Sequence, residues 1–415
     1  MSSVHSLPEA LGTRPGVETQ PGATEQEHVS RPAVAGGSDR LRRALVQLRW
    51  PLAVYAGSRV LYLAIAFVDK FAHHTSLAAE ASNWDGAWYL AVTVLGYPDH
   101  VLRIQSTPGF FPLYPIAIRV VSHVLSSSYV FAGVLIAMIG GAVATVLIGR
   151  LATRWWDEAA GRRVVLFFCL FPGSIVFSMI YSEGLLIPLA IGCIMALESR
   201  RWLLAGCLAG VATAVGPTAI AIIPACAVAA AFELRRTGWR DPDGRKSLLA
   251  PLLAPVGLVS FALYLWIQTG SPFASYTAQH HGWSERTTLT AMVHVAQHLI
   301  HQIGKIDSIH HPGIDLNYVS GLLGFAFLVW ALVLIVRVKP RISPAAIAWT
   351  LGIALMAVTS AMVAPNPRML LTAFPALMVV AYRLRGKAFN RLIGVSVVLL
   401  FAMSAVTYVG TGLRP

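Results

Sequence analysis

Charge is scarce in this sequence. Of its 415 residues, 12% are Asp, Glu, Lys or Arg, while 56% are hydrophobic. Apolar runs of about 15 to 22 residues recur along most of the chain, long enough as helices to cross a bilayer core. A soluble multidomain protein is thereby excluded. Water is absent at that depth, so the backbone must satisfy its own hydrogen bonds and the runs must be helical. Cysteine is scarcer still: Cys169, Cys193, Cys207 and Cys226 all fall inside apolar runs. They read as small hydrophobes, with neither a disulfide framework nor metal-ligand spacing. No glycine-rich loop ends in Lys-Ser or Lys-Thr, which argues against ATP hydrolysis, and no serine elbow occurs. Acids are outnumbered 19 to 32 by Lys and Arg, a net charge of +13. That excess sits in short gaps between apolar runs, where it marks topology rather than nucleic-acid binding.

Residues 1–40 are rich in Pro, Gly, Glu, Thr and Ser without hydrophobic period, and read as a disordered cytoplasmic tail. They lack the apolar core of a cleavable signal peptide. Residues 41–415 read as one polytopic membrane domain. Arg40, Arg42, Arg43 and Arg49 precede the first span, about 47–68, and hold the N-terminus in the cytoplasm. A first external loop then covers 69–127. Within it, 109–125 carries Pro112, Pro115, Arg119 and His123, which suits a re-entrant or interfacial helix better than a lipid-exposed span.

Further spans are expected near 128–150, 163–180, 183–198, 202–216, 217–233, 249–268, 317–337, 343–363, 368–383 and 390–410, eleven in all. From Arg40 on, this arrangement places 22 Lys and Arg at cytoplasmic positions and seven outside. It leaves Asp69, Glu80, Asp85, Asp99, Glu183, Glu285, Asp307 and Asp315 on the outer face, so an external catalytic base must come from this group.

The most informative stretch is Asn83-Trp84-Asp85-Gly86-Ala87-Trp88-Tyr89, followed by Gly96-Tyr97-Pro98. Trp84, Trp88 and Tyr89 fit an interfacial aromatic belt as well as a substrate platform. Asp85 follows Ser82 and Asn83, good capping residues, so it is expected in the first turn of a short helix. Free N–H groups there favour the ionised carboxylate and keep it available as a base, although a plain capping acid fits too. Gly86 beside it would let a lipid or sugar approach the backbone.

Arg59 is the basic residue deepest inside an apolar run, by default a functional hypothesis, with a helix–helix ion pair or snorkelling as the structural alternative. Glu183 is its candidate partner or a separate site acid. Arg368, after Asn366-Pro367 at an outer helix start, suits bidentate phosphate binding or interfacial snorkelling.

The long external loop 269–316 is rich in histidine, including His280, His281, His294, His298, His301, His310 and His311. Its middle, 288–304, has the spacing of a helix lying on the membrane. No zinc-protease pattern accompanies these histidines, so substrate or interfacial contact is favoured over metal.

Taken together, Asn83–Tyr89, Gly96-Tyr97-Pro98 and Phe110-Phe111-Pro112-Leu113-Tyr114-Pro115 resemble the PIG-V-like mannosyltransferases of the GT-C glycosyltransferase superfamily. Tyr181-Ser182-Glu183, Thr269–Phe273 with Ala278-Gln279 and Trp283, and Pro367-Arg368 with Phe374-Pro375 add weaker support. The resemblance runs from about residue 47 to the end. It implies an all-α polytopic GT-C-type fold with about eleven transmembrane helices, a functional Asp in the first external loop and a polyprenyl-phosphate sugar donor. Asp85 matches the loop acid and Arg368 the donor-phosphate contact; Arg59, from its depth in the first span, is expected as a second phosphate contact.

Two departures stand out. Gly216-Pro217 replaces an expected Arg-Pro pair, and Trp84-Asp85-Gly86 has no second acid in an Asp-x-Asp arrangement. The expected enzyme is therefore an inverting mannosyltransferase at the outer face of the cytoplasmic membrane, with no cofactor or metal and no nucleic-acid partner. Asp85 would be its base, and Trp84, Trp88, Tyr89, Glu183, His280 and His281 its substrate contacts. The acceptor stays open among glycolipid, lipoglycan and protein. A transporter or flippase of lipid-linked glycans, its path lined by Arg59 and Glu183, is the alternative.

Overall fold

The structure is a computed structural model that describes residues 37–74, 76–304, 314–338, 341–360, 364–408 and 413. Most of the expected tail lies outside the described residues, as do Lys305, Asp307, His310, His311 and Arg414. By backbone contacts the chain divides into residues 1–45 and 46–415. The described part of the first unit is helical.

Among the described residues there is no β-sheet, only one antiparallel bridge between Thr287 and Ser360. The first helices are α1 (Gly37–His73), α2 (Leu77–Ala81), α3 (Asp85–Leu95), α4 (Leu113–Leu125), α5 (Tyr129–Trp155) and α6 (Glu158–Leu170). They are followed by α7 (Glu183–Glu198), α8 (Trp202–Ala212), α9 (Ile222–Thr237), α10 (Pro242–Lys246), α11 (Leu249–Leu253), α12 (Val256–Thr269) and α13 (Ala274–Thr277). The last are α14 (Ala291–Ile303), α15 (Leu316–Val338), α16 (Pro344–Thr359), α17 (Pro367–Thr372), α18 (Phe374–Arg383) and α19 (Gly386–Tyr408).

Local chemistry explains many of the starts. Ser128 accepts a hydrogen bond from Phe131 N, Asp157 from Ala160 N, Ser343 from Ala346 N and Asn366 from Met369 N. Each caps a free amide of the first helical turn. At α16 and α17 the cap is followed by proline at the first helical position, where its missing N–H costs nothing.

Each expected span overlaps helix, and among the described residues six helical segments are long and apolar enough to cross a bilayer. The chain is a multi-pass membrane protein, but length and composition do not yield the expected eleven crossings. A seventh results if α6 and the 3-10 segment Pro172–Ser178, bent by 71°, form one broken span. Pro172 stands at that break, and an X-Pro junction disfavours continuing helix. The apolar helices α8, α16 and α18 fall short of the crossing length. So does α4, which agrees with an interfacial or re-entrant helix after the first external loop. Its Arg119 donates to the carbonyls of Thr93 and Val94 at the end of α3.

Two close approaches set the site. A Cβ on Gly140 of α5 would lie 1.7 Å from Gly184 O, so side-chain-free backbones touch where α5 crosses α7, next to Glu183. Likewise, a Cβ on Gly173 would come within 2.2 Å of Pro367 O, seating the bent segment directly against the start of α17. Trp349 Nε1 donates to Thr372 O at 2.9 Å and fixes α17 from the α16 side.

Candidate active site

Three helix starts meet here. Asp85 opens α3, Glu183 opens α7, and Arg368 is the second residue of α17. The expected cap of α3 is corrected: Ser82 ends α2, and Trp84 occupies the cap position with φ 60° and no side-chain cap bond. A left-handed tryptophan is strained, and such strain is concentrated at functional sites. Ser284 (φ 53°) and Ala364 (φ 50°) are likewise left-handed and flank Glu285 and the loop before α17. Gly86 is corrected too. A Cβ there would meet Ala81 O at 3.2 Å and Ile180 Cβ at 3.4 Å, so this glycine serves close packing and not substrate approach.

Arg368 is the hub. Its Nη1 donates to Asp85 Oδ2, its Nε lies 3.5 Å from Glu183 Oε1, and its guanidinium sits 5.3 Å from the centre of the Tyr181 ring. One guanidinium thus faces two carboxyl groups. The side chains differ in access: Asp85 is 31% exposed, Arg368 17% and Glu183 8%. Glu183 Oε2 is buried without a hydrogen-bond partner.

The cluster opens onto a cavity of about 1020 Å³. One part of its wall is apolar, with Ile220, Leu258, Phe261 and Leu265. Another part is aromatic and polar, with Trp84, Trp88, Trp283, Gln279, His280 and Glu285. Trp88 stacks on Phe110 at 5.9 Å and meets Trp283 edge-on at 5.1 Å, while Gln279 Nε2 donates to Gly109 O at 2.9 Å. These contacts hold the segment after α12 against Trp88 of α3 and the segment before α4. Farther along, Ser360 Oγ donates to Glu285 Oε2 at 2.9 Å and Thr288 N to Thr359 O at 2.8 Å.

Of the residues singled out from sequence, Asp85, Arg368, Glu183, Trp84, Trp88, Tyr89 and His280 line this one cavity. Tyr89 is also structural: its hydroxyl donates to Ser182 Oγ at 2.7 Å and its ring packs edge-on against Tyr114. His281 lies outside the lining and packs edge-on against His280. Arg59 is outside as well. It donates to Ser174 O at 2.7 Å and to the hydroxyls of Ser58, Ser174 and Ser178, with Tyr55 and Tyr62 under its guanidinium. Its expected pairing with Glu183 is absent, because Glu183 faces Arg368.

Sequence reasoning missed Tyr181 as the ring under Arg368 and gave Glu285 no role beyond membership of the outer acids. The Gln279 and Trp283 contacts follow motif positions that carried no assigned role.

Comparison with known proteins agrees with the motif resemblance over part of the chain. Residues 56–233, which hold Asp85 and Glu183, match the family described as mannosyltransferase (PIG-V). Arg368, Gln279 and His280 lie beyond that stretch. No curated protein matches the sequence.

Among solved structures, ArnT from Cupriavidus metallidurans bound to undecaprenyl phosphate is similar at 17% identity and a TM-score of 0.47, covering 82% of this chain and 63% of that one. The oligosaccharyltransferase AglB from Archaeoglobus fulgidus, in complex with an inhibitory peptide and a dolichol-phosphate, is similar at 12% identity and a TM-score of 0.45. That match covers 88% of this chain and 56% of AglB. This chain therefore spans less than two thirds of either structure's length, and at such scores the likeness carries no weight below.

Proposed function

We propose that this protein is an inverting glycosyltransferase that moves mannose from polyprenyl-phosphate-mannose to an acceptor on the outer face of the cytoplasmic membrane. The observation that carries this reading is the cavity: a carboxylate–guanidinium cluster in one wall and an apolar surface in another. A phosphate ester with a long hydrocarbon needs that pairing of features. The match of residues 56–233 to a mannosyltransferase family supports the sugar, and the Lys and Arg asymmetry supports a cytoplasmic N-terminus with the site outside.

Asp85 takes the proton of an acceptor hydroxyl as that oxygen bonds to the anomeric carbon. The bond from that carbon to the phosphate oxygen breaks with its electron pair, and polyprenyl phosphate leaves. Arg368 meets the charge that develops on it. Trp84 and Trp88 offer flat faces to sugar, and His280 a hydrogen-bonding group to the acceptor. The donor brings its own activated bond, so the scheme uses no cofactor.

The test is transfer of radiolabelled mannose from polyprenyl-phosphate-mannose in membranes holding the native chain or Asp85→Asn at equal levels, with membrane extract as acceptor source. Removing the base is expected to lower transfer by about 10²- to 10⁴-fold. Equal incorporation by both would overturn the role of Asp85, and none by either would overturn the reading.

A further inference from the structure

Asp85 is bonded to the group assigned to the donor phosphate, so base and phosphate compete for one guanidinium. An inverting displacement needs base and leaving phosphate on opposite sides of the anomeric carbon. In inverting glycosidases the two acting carboxyls stand about 6.5–9.5 Å apart to admit a reactant between them. With Asp85 on Nη1 of Arg368, a phosphate seated on that same nitrogen would lie beside the base and not across the anomeric carbon from it. We infer that the donor phosphate displaces Asp85 from Arg368, so the base is released only when donor is bound. This rests on the glycosyltransferase reading above.

The surroundings fit an exchange of this kind. Of the two carboxylates on Arg368, Asp85 is the more exposed, at 31% against 8% for Glu183, and so is the one free to swing out. Glu183 and the Tyr181 ring stay on the buried side of the guanidinium and hold it during the exchange. Charge favours it as well. An incoming phosphodiester brings its negative charge to the guanidinium that Asp85 already holds, and the two repel each other unless Asp85 moves away. During transfer Asp85 gains a proton while the leaving phosphate gains a negative charge, so the local total is unchanged. Without donor, the paired Asp85 is unavailable to activate an acceptor.

The experiment measures binding of polyprenyl phosphate to the purified full chain in detergent, for native protein and Asp85→Asn. Removing the internal competitor should tighten binding by about threefold or more, the worth of a partly exposed ion pair. Equal or weaker binding by Asp85→Asn would overturn the exchange while leaving the transferase reading intact. Absence of binding by both would overturn the two together. A second measurement needs no variant: carbodiimide labelling of Asp85 in the native chain, read by peptide mass spectrometry. Polyprenyl phosphate should raise labelling at Asp85, and unchanged or reduced labelling would sink the inference.

Discussion

Arg59 and Arg368 are both sunk among helices, yet their surroundings differ in kind. Arg59 is 3% exposed and is answered by neutral groups: serine hydroxyls, a carbonyl and tyrosine faces. All of these belong to the packed core, and none can leave without unfolding it. Arg368 is answered by two carboxylates at the rim of a cavity, and one of them is exposed enough to be exchanged. A buried charge satisfied by fixed dipoles is a structural element. One held by a partly exposed counter-ion beside a cavity is available to an incoming anion. Depth in the membrane alone, which singled out Arg59 in the sequence, does not separate the two.

The largest effect expected from this contrast is at Arg368. Arg368→Ala removes the proposed phosphate contact and leaves Asp85 and Glu183 without their shared cation, so on the proposed function mannose transfer should fall by about 10²- to 10³-fold or more. Arg368→Lys keeps the charge but loses the planar fork, and its transfer should lie between alanine and native. Initial rates at matched protein levels check both. Full activity in Arg368→Ala would erase the distinction between the arginines.

The converse substitution comes next. Arg59→Met should cost roughly 2–4 kcal/mol of stability by stripping several buried hydrogen bonds. Transfer per folded molecule should nevertheless stay within about threefold of native, because Arg59 does not line the cavity. Thermal unfolding in detergent together with initial rates separates the two quantities. A stable Arg59→Met protein without activity would return Arg59 to the site.

How much was legible in advance follows from the same physics. The bilayer permits only helix here, so the apolar runs mapped onto helices, but hydropathy could not foresee the bend after α6 or the shortness of α8, α16 and α18. Asp85 and Arg368 were readable because their neighbours are distinctive: a Trp-rich loop in one case, an Asn-Pro cap in the other. Their contact was not readable, since 283 residues separate them and nothing local states which helix starts meet. For the same reason Glu183 was offered to Arg59 instead of Arg368. The cap of α3 was misplaced because propensity favours Ser82 and Asn83, whereas tertiary contacts hold Trp84 in a strained conformation.

The smallest expected effect sharpens the comparison by adding a third arginine. Gly216 lines the cavity where the family resemblance leads one to expect Arg before proline. Its backbone is extended, with φ −179° and ψ 165°, so a side chain is not strained there. A Cβ would meet only Ser182 Oγ, at 3.8 Å. Gly216→Ala should therefore stabilise the chain by roughly 0.4–1 kcal/mol, chiefly by restricting the unfolded backbone, with transfer unchanged. Gly216→Arg puts a guanidinium on the wall near Glu183, in the same exchangeable setting as Arg368. Polyprenyl phosphate should then bind a few-fold more tightly, and more so at low salt, where a partly exposed charge is less screened. Unchanged affinity would mean that the new arginine had been absorbed by fixed partners, as Arg59 is, and that position within the cavity wall does not by itself make a cation available to an incoming phosphate.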